Sequence, residues 1–173
     1  MKKVFALFLF LFIGTNNLKI YAQAPGLSIK LLDALSFTIT QPELLNFVSK
    51  NGNKKKDMMI AKVADHITVI SSRGYEVRAI SGSGIKDGPF LSLSPFFGET
   101  NKGNTNGVVL ARDIALPPAN GNPATVISAA NSSWNGINPE NKFNVEYSME
   151  SDFLKPKGKN PPAIPVIYTV LQP

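Results

Sequence analysis

The chain contains no cysteine, one histidine (His66) and one tryptophan (Trp134), and each scarcity removes a class of chemistry. Without cysteine there is no disulfide and no lipidated N-terminal Cys, so the fold must be held by its core alone. A single histidine without cysteine cannot build a zinc shell of the usual donors. Asp57, Asp65, Asp87, Asp113 and Asp152 are scattered and lack calcium-loop spacing. Neither a phosphate-binding P-loop nor a dinucleotide fingerprint is present. Gly82-Ser83-Gly84 has neither the spacing nor the strand-to-helix context of a nucleophile elbow. The expectation is a protein without catalytic residues, cofactor or metal. Only a two-carboxylate glycosidase stays open, because carboxylates in a chain of this size are uninformative by their mere presence.

What is present begins at the N-terminus. Met1, Lys2 and Lys3 precede an unbroken apolar run from Val4 to Ile13, which ends at polar Gly14, Thr15, Asn16 and Asn17. Such a run is shorter than the ~20 residues a spanning helix needs, and it reads as a signal peptide. Ala22-Gln23-Ala24 offers two cleavage sites, and the cut is placed after Ala22 because the other would leave Pro25 first. An uncleaved anchor is the alternative reading. The predicted organisation is residues 1–22 as signal peptide, 23–43 as N-terminal extension or first strands, and 44–173 as one β-sandwich domain. The expected location is outside the cytoplasm, in the periplasm, at the cell surface or beyond it, with no transmembrane anchor.

Discounting the leader changes the charge. Eighteen Lys and Arg against twelve Asp and Glu give +6, but loss of Lys2, Lys3 and Lys19 leaves fifteen against twelve, or +3. The whole-chain pI of about 9.6 therefore overstates the basic character, and no nucleic-acid partner is expected. Lys50, Lys54, Lys55 and Lys56 surround Asn51, Gly52 and Asn53, a solvated loop in preference to a polyanion contact.

Several short segments alternate with period two, and none shows a long helical period. His66–Ser71 and Tyr75–Ile80 flank Ser72-Arg73-Gly74, which predicts a hairpin with Gly74 left-handed, Val69 opposite Val77 and Ile67 opposite Ala79. His66 then points away from the apolar face, as an exposed strand residue. Phe143, Val145, Tyr147 and Met149 predict a half-buried strand, and so do Leu35, Phe37 and Ile39. Ile164, Val166, Tyr168 and Val170 interleave with Ile167 and Leu171, which predicts a more deeply covered strand. Val108–Leu116 offers two short ones. Pro42–Val48 reads as a strand or as a short helix with Pro in its first turn. Gly98–Asn106 and Leu116–Asn141 read as long loops. About seven strands without helices predict an all-β, immunoglobulin-like antiparallel sandwich.

Leu45-Asn46-Phe47, the basic loop after it, the Ile67–Ala79 segment, Phe143–Ser148 and the closing Val166–Pro173 occur in an order that resembles a group of small secreted proteins of Bacteroidetes-type bacteria. That group is similar in pattern to the immunoglobulin-like sandwiches of spore-coat-U-type and pilus-subunit proteins, and more remotely to WxL-type cell-wall domains. The resemblance covers roughly Leu44 to Gln172 and implies a structural role at the cell surface. It carries over no catalytic residue, and the disulfide common in the pilus relatives is missing here.

Two non-enzymatic roles follow. The first is an exported structural or adhesion-type surface protein, such as a pilus-like subunit, pairing strands with itself or other envelope proteins. Leu27, Ile29 and Leu31 alternate ahead of the main domain and are the candidate exchange strand, with a first strand of its own domain as the alternative. The second is a non-catalytic module binding peptidoglycan or surface polysaccharide. Trp134, within Asn131-Ser132-Ser133-Trp134-Asn135, and Phe96 with Phe97 are its candidate stacking residues, with plugging of the sandwich ends as the plain alternative.

Overall fold

Alternating residues with one apolar face pair into sheets, and among the residues described below the sheets are two. The computed structural model describes residues 34–40, 47–50, 58–82, 91–150 and 165–173. Ten strands occur among them, and no helix: β1 (Leu35–Ile39), β2 (Val48–Lys50), β3 (Met58–Ser71), β4 (Tyr75–Ser81), β5 (Ser92–Phe97), β6 (Val108–Leu110), β7 (Ile114–Ala115), β8 (Ala124–Ala129), β9 (Glu140–Glu150) and β10 (Val166–Leu171). The six-stranded sheet runs β1-β3-β9-β5-β7, with β2 also on β3, and the four-stranded sheet runs β10-β4-β8-β6. Every pairing is antiparallel. The signal-peptide segment, the exchange residues Leu27, Ile29 and Leu31, most of Pro42–Val48 and the loop from Asn51 lie outside the described residues.

The inner faces supply the core. Phe143, Val145, Tyr147 and Met149 of β9 are all buried, each separated by an outward residue, as their alternation predicts. They meet Ile67 and Val69 of β3 and Leu93 of β5 on one side, and Tyr75, Val77, Val126 and Ile127 on the other. Complete burial of such a side chain stabilises the fold by about 1.5–3 kcal/mol.

The predicted hairpin is corrected. β3 and β4 do not pair: β3 lies between β1 and β9, while β4 lies between β10 and β8. Ser72-Arg73-Gly74 is an arch from one sheet to the other. Val69 and Val77 are both fully buried, but in opposite sheets. Nor is Gly74 left-handed, since among the described glycines only Gly107 and Gly136 have positive φ. Gly74 is required because a Cβ there would stand 2.8 Å from the Ala129 carbonyl oxygen. Hydrogen bonds hold the arch: Ser72 N donates to Ala34 O, Ser71 Oγ donates to Arg73 O, and Gln172 Nε2 reaches both Ser71 Oγ and Ala34 O.

Two further expectations change. The Leu116–Asn141 stretch is not all loop, because it contains β8. The β4–β8 register shifts between Val77 and Arg78, so Val126 and Ile127 are both buried although adjacent, and the alternation that would reveal a strand is broken. The C-terminal strand is not the most covered: among the described residues β10 is an edge strand, with Ile167 50% and Leu171 39% exposed. Pro95 also stands inside a strand. At that point β5 pairs only with β9, since β7 reaches no further than Leu93, and the missing N–H is tolerated at the open edge.

Candidate functional site

Four places carry chemistry beyond packing. The first is the loop holding Trp134, which enters β9 from β8. Its neighbour Ser133 is fully buried and accepts the Ser71 N–H at 2.7 Å while donating to Pro139 O at 2.5 Å. Asn104 holds the loop from the other side, its N–H on Ser133 O and its amide on Ser132 O. Asn135 accepts the N–H groups of Ile137 and Asn138 at 2.9 Å and donates to Lys102 O, closing a turn at left-handed Gly136. These bonds fix a tip from which Trp134 and Ile137 project, 38% and 86% exposed. Because the loop is pinned at both ends, it presents its apolar tip with little ordering left to be lost on binding.

Phe96 and Phe97 do not join Trp134 as one platform. Adjacent strand residues point to opposite faces. Phe97 lies on the core-facing side against Phe143, ring centroids 5.7 Å apart, but at the open margin of the core, where it stays 37% exposed. Phe96 turns outward, with the Arg112 guanidinium 5.5 Å from its ring centre.

Around Phe96 lies the second place, a groove of about 350 Å³ on the outer face of the six-stranded sheet. Lys62 and Ala64 of β3, Asn144 and Glu146 of β9, Phe96, and Glu99 just beyond β5 line it. Its cause is a bulge: between Val63 and Ile67, Ala64, Asp65 and His66 stand opposite Asn144 alone. Asp65 takes a left-handed φ of 44°, which Asp tolerates better than most residues. Its N–H donates to Asn144 Oδ1 at 2.7 Å, and Thr100 Oγ1 donates to its Oδ2 at 2.6 Å. Lys62 pairs with Glu146 at 3.2 Å.

The same bulge corrects His66, the third place. Rather than being exposed, the ring is 4% accessible and lies between the sheets. Nδ1 is 2.5 Å from Thr40 O, Nε2 is 2.8 Å from the Tyr147 hydroxyl, and that hydroxyl is 2.6 Å from Tyr168 Oη. A carbonyl only accepts, so Nδ1 carries the proton and Nε2 accepts from Tyr147. The one Tyr147 proton is thereby committed, and Tyr168 must donate to Tyr147. One directed chain thus links β10, β9, β3 and the end of β1. Burial holds the imidazole below its ordinary pKa, against an opposing hydrogen bond to Thr40, and pushes Tyr147 up to about 12. Removing the middle hydroxyl with Tyr147→Phe leaves Nε2 unsatisfied; a loss of about 1–3 kcal/mol by urea unfolding is expected.

The fourth place is the side of the sandwich where β1 and β10 stand. Among the described residues each closes its sheet, and neither carries a charged residue. Among the described residues, no group of three His, Cys, Asp or Glu side chains could hold a metal ion, and no helix is long and apolar enough to cross a membrane.

No family, curated protein or solved structure matches this chain. A functional reading therefore rests on the sequence and on these four places.

Proposed function

We propose that the protein is an exported, non-enzymatic structural or adhesion-type surface component with an immunoglobulin-like sandwich, which assembles by strand pairing at the β10 edge. The supporting observation is the chemistry of that edge. Natural edge strands are guarded by Lys, Pro, bulges or shortness. β10 has none of these over Val166–Leu171, and its outward face carries Ile167, Thr169 and Leu171. An edge so unguarded is one that a partner strand covers, either from a second copy or from another envelope protein. Leu27, Ile29 and Leu31 have the alternation of such a strand. Deletion of Gln23–Leu32 should leave a folded domain that no longer assembles, as should Ile167→Lys, with mass read by light scattering. Assembly unchanged by both would sink the proposal.

A second reading, a glycan-binding module of the cell wall, is favoured by the pinned loop that projects Trp134. Trp134→Ala should abolish co-sedimentation with purified peptidoglycan or surface polysaccharide while leaving the melting temperature within a degree or so.

A further inference from the structure

We propose that the groove beside Phe96 is a carbohydrate site, formed by Phe96, Asn144, Glu99 and Glu146. It shares a ligand class with the second reading but places the ligand on the sheet face, away from the Trp134 loop. Asn144 lines the groove. Its Oδ1 must be the oxygen, since it accepts the Asp65 N–H, and this bond fixes the amide in one orientation. Its Nδ2 then has two donors with no partner among the described residues, on a side chain that lines the groove. Glu99 lines the same groove, exposed, and likewise has no partner among the described residues. Glu146 adds a second carboxylate, held by Lys62. Phe96 supplies the apolar wall, and Arg112, stacked on the ring at 5.5 Å without lining the groove, limits its movement.

A fixed amide donor, two acceptors and an aromatic ring suit a ligand with hydroxyls that both give and take hydrogen bonds, around an apolar C–H face. A pyranose ring has that description. A phosphate-bearing ligand would meet Glu99 and be repelled, because the cation lining the groove, Lys62, is already paired with Glu146, whereas a wholly apolar ligand would strand the Asn144 donors and the Glu99 charge. The bulge is what brings this together, because it couples Asp65 to Asn144 across the strand pair and so orients the donor before any ligand arrives.

The test uses the purified protein in calorimetric titrations with cellohexaose, chitohexaose and mannohexaose, and in co-sedimentation with peptidoglycan. Binding to at least one is expected. Phe96→Ala should weaken it roughly tenfold or more, Glu99→Gln should weaken it measurably, and Trp134→Ala should leave it unchanged. Glu99 is exposed, so its substitution tests the site without risk to the fold. Asn144→Asp keeps an acceptor for the Asp65 N–H but exchanges the donor for a negative charge, and it too should weaken binding. Two results would overturn the site: no binding to any of the four probes, or binding that Trp134→Ala abolishes and Phe96→Ala and Glu99→Gln leave intact. The second would support the loop and refute the groove.

Discussion

Stability should fall as the solution is acidified below pH 6.5, and His66→Gln should remove most of that fall. The imidazole is buried among a carbonyl from the end of β1, the Tyr147 hydroxyl from β9 and the Tyr168 ring from β10, none of which compensates a positive charge as a carboxylate would. Its folded pKa lies below the ordinary 6.5, with burial as the leading cause. The sign follows: between the two values the unfolded chain binds the proton and the folded one does not. The His66 contribution is therefore complete above 6.5 and is lost as the pH drops through the lower folded value. One proton limits the slope to about 1.4 kcal/mol per pH unit. Protonation would also put a donor on Nε2, facing the Tyr147 O–H, and would force the chain through Tyr147 to Tyr168 to reverse. Gln in place of His66 offers a donor and an acceptor but does not titrate. Equal slopes for both proteins in urea unfolding across this range would refute the assignment.

This chain spans both sheets and ends on β10, so the pH result also bears on assembly. Neutral His66 keeps Tyr168 hydrogen-bonded inward, and with it the strand whose outer edge is proposed to take a partner. Acidification should loosen β10 first, which hydrogen exchange of the Val166–Leu171 amides would detect before those of β9.

How far the sequence reveals this arrangement depends on what alternation can report. Period two tells which face of a strand is apolar, and β9 obeys it from Asn141 to Met149, with β3 beside it along its length and β5 beside Phe143–Ser148. It does not tell which strand lies alongside. Val69 and Val77 would share a face in a hairpin, and they also both turn inward across an arch; the short Ser-Arg-Gly link suits either. β10 misleads for a similar reason, since apolar residues on both faces can mean a buried strand or an edge that awaits cover. Bulges defeat the pattern altogether. The residues inserted in β3 turn His66 inward while Ile67 keeps the phase of Val63, so local reading places the histidine on the wrong side. The groove was out of reach in another way, since Asp65 and Asn144 are 79 positions apart and only the fold makes them neighbours. Of its residues only Phe96 stood out by type.

Gly103→Ala should be the most damaging small substitution in the described chain, costing about 3 kcal/mol, and it should disturb both candidate binding places at once. Among the described residues, two side-chain oxygens, Asp65 Oδ1 and Asn141 Oδ1, are buried without a hydrogen-bond partner. Both are covered by a glycine: Gly98 lies against the first and Gly103 against the second, each so close that no Cβ would fit. At Gly103 the obstacle includes backbone, with the Glu140 carbonyl carbon 2.7 Å from the would-be Cβ, and β9 is too deeply paired to yield. At Gly98 the nearest atom is the Asp65 carboxylate, which can turn at the expense of its Thr100 bond, so Gly98→Ala should cost less. The segment between these glycines and Gly107 carries Glu99 of the groove, together with Lys102 and Asn104, which hold the Trp134 loop. Lifting it off β9 therefore frees Trp134. As the only tryptophan, that side chain reports the event directly, and its emission should shift to the red in Gly103→Ala well below the melting temperature. A variant that melts early with unchanged native emission would separate the two glycine contacts from the loop, and the docking account would fail.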